Sequence, residues 1–160
     1  MRQYMEEKSM IRDILRVTSE NDEVAKFLSQ SCQKIADIRQ AREIVKDLID
    51  TAIHNNQQDG VNCCGLAANQ IGINARIIIA QMPNGKFEPF INPVIVDHSK
   101  ATTQSTEGCM SLIGTREVPR YNNITVMAQD MSGRWNKRRF SGFTAIELQH
   151  EIDHTNGILI

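Results

Sequence analysis

The order of elements along the chain predicts an α+β fold with an antiparallel sheet. Three observations carry this: apolar residues at helical spacing in the first third, short β-branched runs between Pro- and Gly-containing breaks in the middle, and a helix-opening signature near the end.

In the first third, Val24, Leu28, Cys32 and Ile35 recur at helical spacing after a polar start at Ser19 to Asp22. The stretch from Met1 to about Ala36 reads as helical, with Cys32 as a buried small hydrophobe on a helix. A second helix is expected from Ile38 to Ile53, burying Ile44, Leu48, Ile49 and Ala52, and ending in Asn55 to Gly60. Ala75 to Ala80 then reads as a strand, as do Phe87 to Asn92 and Val94 to Asp97, broken by Pro89 and Pro93. Ile124 to Gln129 alternates as a strand. A turn at Asp130 to Gly133 and a polar return over Arg134 to Phe140 complete a hairpin. Thr144-Ala-Ile-Glu147 is a capping box, with Thr144 as N-cap of a helix running to Thr155 and stopped by Gly157.

With 160 residues, 41% of them apolar, the chain fits one domain with a core of its own, residues 1–160, in which 1–37 is the helical N-terminal region. A net charge of −1 gives no general attraction to nucleic acid or to a membrane surface. Aromatics at 5% do not supply a stacking platform for single strands, so no nucleic-acid site is expected. No run reaches the roughly 20 apolar residues of a membrane span. Met1 to Leu15 carries Glu6, Glu7 and Asp13 and no apolar core, so neither a secretory nor a transit signal is expected. A cytoplasmic protein with reduced Cys32, Cys63, Cys64 and Cys109 is the expectation.

The chemistry concentrates in the last helix. His150 and His154 are four residues apart, so both imidazoles lie on one face and can chelate a divalent metal. Glu151, beside the first, is placed to serve as a base for water that the metal activates. Asp153 is a candidate partner for a ligand or a solvated charge. A catalytic site needs a third protein ligand, and Thr-Asn-Gly-Ile-Leu-Ile after His154 offers none. Cys109, in Glu107-Gly108-Cys109-Met110-Ser111, is the best upstream candidate, since a thiolate and two imidazoles suit Zn²⁺ or Fe²⁺. A buried structural cysteine is the bland reading for it. In Gly65-Leu66-Ala67-Ala68-Asn69-Gln70-Ile71-Gly72, small residues allow close backbone approach, and Gln70 can donate its amide to a developing oxyanion; the alternative is a small-residue turn before a strand.

Taken together, Cys63 to Gln70, Glu107 to Ser111 and Gln149 to His154 resemble, in this order, the GxGLAAxQ, EGCLS and QHExDH motifs of the peptide deformylase family. The likeness runs from about Ile38 to Leu159 and includes Arg116 and Val118-Pro119-Arg120. It implies antiparallel sheets packed around the C-terminal helix. It implies Cys109, His150 and His154 as ligands of one Fe²⁺, with Zn²⁺ or Ni²⁺ as alternatives. Glu151 becomes the general acid/base, and Gln70 and the Met110 N–H hold the oxyanion. Glu107 and Arg116 organise the site as an ion pair. Gly65 and Leu66 pair with the substrate backbone like an added strand. Cys64 and Arg116 join the substrate-binding residues, and an apolar pocket, with Ile146 as one contributor, takes the methionine side chain. The implied activity is release of formate from the N-terminal formylmethionine of new proteins. Nascent formylmethionyl peptides are the implied partners, and the ribosome a further one. Three departures stand out: Cys63 where the family carries glycine, Cys64 for an aliphatic residue, and Asn69 for proline. Cys63 motivates an alternative, a non-catalytic homologue that binds metal and peptide. An HExxH endopeptidase and a structural zinc site are the remaining rivals.

Overall fold

The computed structural model describes residues 10–18, 22–58 and 62–160. Helix α1 (Asp22–Leu28) is short, and the chain has no regular secondary structure from Ser31 to Asp37. The helix expected through Ile35 therefore stops at Leu28, and Cys32, though buried, is not on a helix. Long-range partners explain this. The Cys32 N–H donates to the Thr155 carbonyl (2.8 Å), and the Ile35 N–H donates to Asn92 Oδ1 (2.9 Å) while its carbonyl accepts from Asn92 Nδ2 (2.9 Å). Backbone groups satisfied across the fold have no need of helical bonds.

Residues 10–18 are likewise irregular rather than helical; residues 1–9 and 19–21 of the expected helical region lie outside the described residues. This segment lies against helix α2 (Ile38–Gln58), where Asp47 accepts the Met10 N–H (2.7 Å) and pairs with Arg12 (3.0 Å). The helix begins as expected, with Asp37 Oδ1 accepting the Arg39 and Gln40 N–H groups (2.9 and 3.4 Å) as its cap. Ala41, Ile44, Val45, Leu48 and Ala52 form its buried stripe, and Ile49 is half-buried at the edge. The helix outlasts the expected Ile53 by a turn.

Five strands form an antiparallel sheet in the order β1 (Gly65–Ala67), β2 (Ile77–Gln81), β3 (Phe87–His98), β6 (Asn123–Gln129), β7 (Trp135–Ser141). A separate hairpin pairs β4 (Thr102–Glu107) with β5 (Arg116–Tyr121). Strand β2 is an interior strand, paired on both sides. Ile77 and Ile79 face the α2 core, while Ile78 and Ala80 face the core under helix α3 (Gly142–Thr155). Both faces are covered, which is why this strand reads as an unbroken apolar run. The two strands expected either side of Pro93 are one. Pro93 falls in a bulge between Ile91 and Val94, next to Asn92 at φ 51°, and Pro89 sits where β3 pairs only with β2.

Strand β7 passes directly into α3. Ser141 holds the N-cap position and Gly142, at φ 60°, turns the chain. Thr144 is thus inside the first turn and caps nothing, which frees Glu147 for another role. Gly157, at φ 76°, ends the helix region as expected, with its Cα packed on the Ser29 carbonyl, where no side chain fits. Among the described residues no helix is long and apolar enough to cross a membrane.

Candidate active site

Helix α3 lies in the core, with His150, Glu151 and His154 each about 5% exposed or less. The His150 and His154 Nε2 atoms approach to 3.0 Å, and with Cys109 Sγ these donors all lie within 4.8 Å of one another. The three expected ligands are brought together. Thiolate and imidazole donors converging on one point suit a soft-to-borderline divalent cation. Beside this cluster Glu151 Oε2 is buried without a hydrogen-bond partner, which fits a carboxylate that would face a bound metal ion.

The ligands are held by their neighbours. The His150 Nδ1–H donates to Glu107 Oε1 (2.8 Å), which orients Nε2 toward the cluster. Glu107 receives a two-pronged contact from Arg120 (2.8 and 2.7 Å), and Arg120 also reaches Asp153 (2.5 Å). Asp153 is thus an ion-pair partner rather than a solvated charge. The expected Glu107–Arg116 pair is not formed. Arg116 lies opposite Glu107 in the β4–β5 register but is exposed, and Arg120, one pleat pair further along and buried, takes its place. Gln149 chelates the β5 backbone, accepting from the Tyr121 N–H and donating to its carbonyl (2.9 Å each). The helix is thereby pinned to the hairpin that carries Glu107.

Electrostatics match this geometry. Burial pushes the Glu107 carboxyl up, but Arg120 and His150 outweigh it and hold it at about 2. Burial also opposes ionisation of Cys109. Hydrogen bonding with His150 and from the Ser111 and Leu112 N–H groups reverses the sign and lowers its pKa, so the thiolate is favoured. For His150, burial lowers the pKa while Cys109 and Glu107 raise it, to about 10; His154, desolvated beside the His150 charge, is held at about 3. Glu151 is pushed well up by burial.

Beside the cluster opens a cavity of about 430 Å³ bordered by Cys64, Gly65, Gln70, Met110, Glu147 and Glu151, among others. The amide of Gln70 is fixed in place. Its Oε1 accepts the Ala67 N–H (2.9 Å) and its Nε2 donates to Ser111 Oγ (3.1 Å), leaving one amide hydrogen. Asn69, in the place of the usual proline, donates to the His154 carbonyl (2.8 Å). The N-terminal segment braces both motif loops through Leu15 N–H to the Gln70 carbonyl (2.7 Å) and Val17 N–H to the Ser111 carbonyl (2.8 Å).

Leu66 is fully buried in the core, so only its backbone is placed to meet a ligand. Cys63 is 3% exposed and its thiol donates to the Gly65 carbonyl (3.2 Å). Ile146 does not border the cavity; the next residue, Glu147, does. Sequence reasoning missed Arg120, Ser111 and Glu147 as site residues. For Arg120 the period-2 spacing from Arg116 was an available signal.

Residues 12–160 match the family model described as polypeptide deformylase, which extends the likeness upstream of Ile38 into the bracing segment. The peptide deformylase of Clostridium beijerinckii is 37% identical, over 96% of this chain and 98% of that protein. The peptide deformylase of Dictyoglomus thermophilum is also 37% identical, covering 94% and 91%. The crystal structure of peptide deformylase from Ehrlichia chaffeensis superposes with a TM-score of 0.80 at 31% identity, covering 94% of this chain and 86% of that one. On the family match over most of its length, and on the likeness of these relatives, the chain belongs to the polypeptide deformylase family.

Proposed function

We propose that the chain hydrolyses the N-formyl amide at the start of a peptide, releasing formate, with formylmethionyl ends of new proteins as its substrate class. What carries this reading is the convergence of Cys109, His150 and His154 beside the buried, unpartnered Glu151 oxygen in a chain of this family. Cys109, His150 and His154 would hold the metal, with Fe²⁺ our choice of native ion and Zn²⁺ or Ni²⁺ compatible with the donors. When bound there, a divalent ion acidifies water and polarises the formyl carbonyl.

The remaining steps belong to side chains. Glu151 takes the proton of the attacking water and returns it to the departing amine nitrogen. The spare Gln70 amide hydrogen and the Met110 N–H receive the oxygen of the tetrahedral intermediate. Glu107, clamped by Arg120, keeps His150 in the tautomer whose Nε2 is a lone-pair donor. Backbone groups of Gly65 and Leu66 pair with the substrate chain, and Cys64 and Arg116 flank its path. Cytoplasmic residence and encounter with nascent chains at the ribosome complete the proposal.

The non-catalytic alternative is motivated by Cys63, which packs in the core cluster and also borders the cavity. Formate release from formyl-Met-Ala-Ser tests the reading. Glu151→Gln should retain metal and lose activity by about 10²–10⁴-fold, the usual contribution of a positioned acid/base. Near-normal turnover by that variant would remove Glu151 from its role.

A further inference from the structure

Asn69 is a buried polar side chain whose bonding packing alone does not account for. It sits in the single 3₁₀ turn Ala68–Ile71 and is 2% exposed. Its Nδ2 donates to the carbonyl of His154 at 2.8 Å, across 85 residues of sequence. Its Oδ1 is buried with no hydrogen-bond partner among the described residues. An amide satisfied at one end only is a costly core residue, and an apolar side chain of the same size would strand no acceptor. The His154 carbonyl does not depend on it either, since it also accepts the Gly157 N–H (3.1 Å). What the contact adds is a link. Asn69 immediately precedes Gln70, so the hydrogen bond ties the turn that carries Gln70 to the end of α3 that carries a member of the metal-ligating cluster.

We propose that Asn69 is a positioning residue that holds the Gln70 amide in register with the metal-ligating cluster. The inference rests on the deformylase reading and deepens it. The other partners of Gln70 are the Ala67 N–H, Ser111 Oγ and the Leu15 N–H. They belong to β1, the loop after Cys109 and the N-terminal segment, and none belongs to α3. Asn69 supplies the hydrogen bond to that helix. The oxygen of the tetrahedral intermediate has to lie within reach of the Gln70 amide and face the cluster at the same time. The spacing of turn and helix decides whether both contacts can be made. Loss of the link therefore acts on the transition state rather than on substrate binding, and lowers kcat while sparing KM.

The test uses Asn69→Leu, which keeps the volume and removes the donor together with the stranded acceptor. Its Tm should be no lower than that of wild type, because no unpaired group is created. On Fe²⁺-loaded protein with formyl-Met-Ala-Ser, kcat should fall about tenfold with KM within about twofold, less than the roughly 10²–10³-fold loss for removing an oxyanion donor outright. In the Gln70→Ala background the same substitution should cost nothing more, since a residue that acts through Gln70 has nothing left to position. Asn69→Ala, which cannot overpack, repeats the comparison if the leucine variant fails to fold. A readout independent of turnover is the ¹H–¹⁵N spectrum of the Zn²⁺-loaded protein. The Gln70 side-chain amide, identified by its absence in Gln70→Ala, should give one sharp pair in wild type and a doubled or broadened pair in Asn69→Leu. If wild type releases no formate, the deformylase reading fails and this spectrum alone decides: a disordered amide upholds the positioning role and an unchanged one overturns it. With an active wild type, an unchanged kcat, or losses that multiply in the double variant, overturn it.

Discussion

Arg120 is the residue on which the order of the metal-ligating cluster depends. It is 4% exposed, grips both Glu107 oxygens and ties them to Asp153. Arg120→Met should therefore leave Glu107 buried with its charge unpaired, at a cost of about 3–5 kcal/mol. Urea unfolding measures this. Glu107→Gln in the Arg120→Met background should recover part of the loss, because it removes the stranded charge. The approach of His150 and His154 was legible in the sequence because four-residue spacing on a helix fixes relative direction. The partner of Glu107 was not. Arg116 and Arg120 both lie on β5, and only the β4–β5 register and burial decide which guanidinium reaches inward. Glu147 was masked by a second valid pattern, since Thr144 and Glu147 do form a capping-box spacing. The direct entry of β7 into α3 places the cap at Ser141 instead.

At the scale of elements, the approach of β1 to α3 sets the position of the Glu151 carboxyl. Gly65 has no room for a side chain against Glu147 and Glu151. Gly65→Ala should shift Glu151 and lower formate release by about a hundredfold, the scale expected for a displacement near 1 Å. Gly85→Ala is a control: at φ 82° it strains a turn, yet its Cβ meets nothing and the site is elsewhere. It should cost stability in thermal unfolding without altering turnover. Strands with one or two apolar faces, β2 and β6, and the amphipathic α2 were readable from period alone. The β4–β5 hairpin was not, because Thr102 to Thr106 is polar on both faces and is held by pairing rather than by a core. The irregular stretch at Cys32 to Ile35 mimicked a helix because its more buried residues fall three or four apart while its backbone bonds go to distant partners.

For the whole molecule, the site lies where three separated parts of the chain meet, braced by residues 12–17 and anchored by α3 in the core. Metal binding should therefore stabilise the fold globally, by about 2.7 kcal/mol at a hundredfold excess over Kd. Differential scanning calorimetry should show a higher Tm for wild type with Fe²⁺ or Zn²⁺ than after chelation, and no such rise in Cys109→Ala. The most direct test of the central claim is formate release from formyl-Met-Ala-Ser, measured anaerobically against Fe²⁺ bound per chain. The account predicts activity that rises in proportion to bound metal, saturates at a single ion per chain and is absent in His154→Ala. Folded protein with its metal fully bound and no formate released would contradict it.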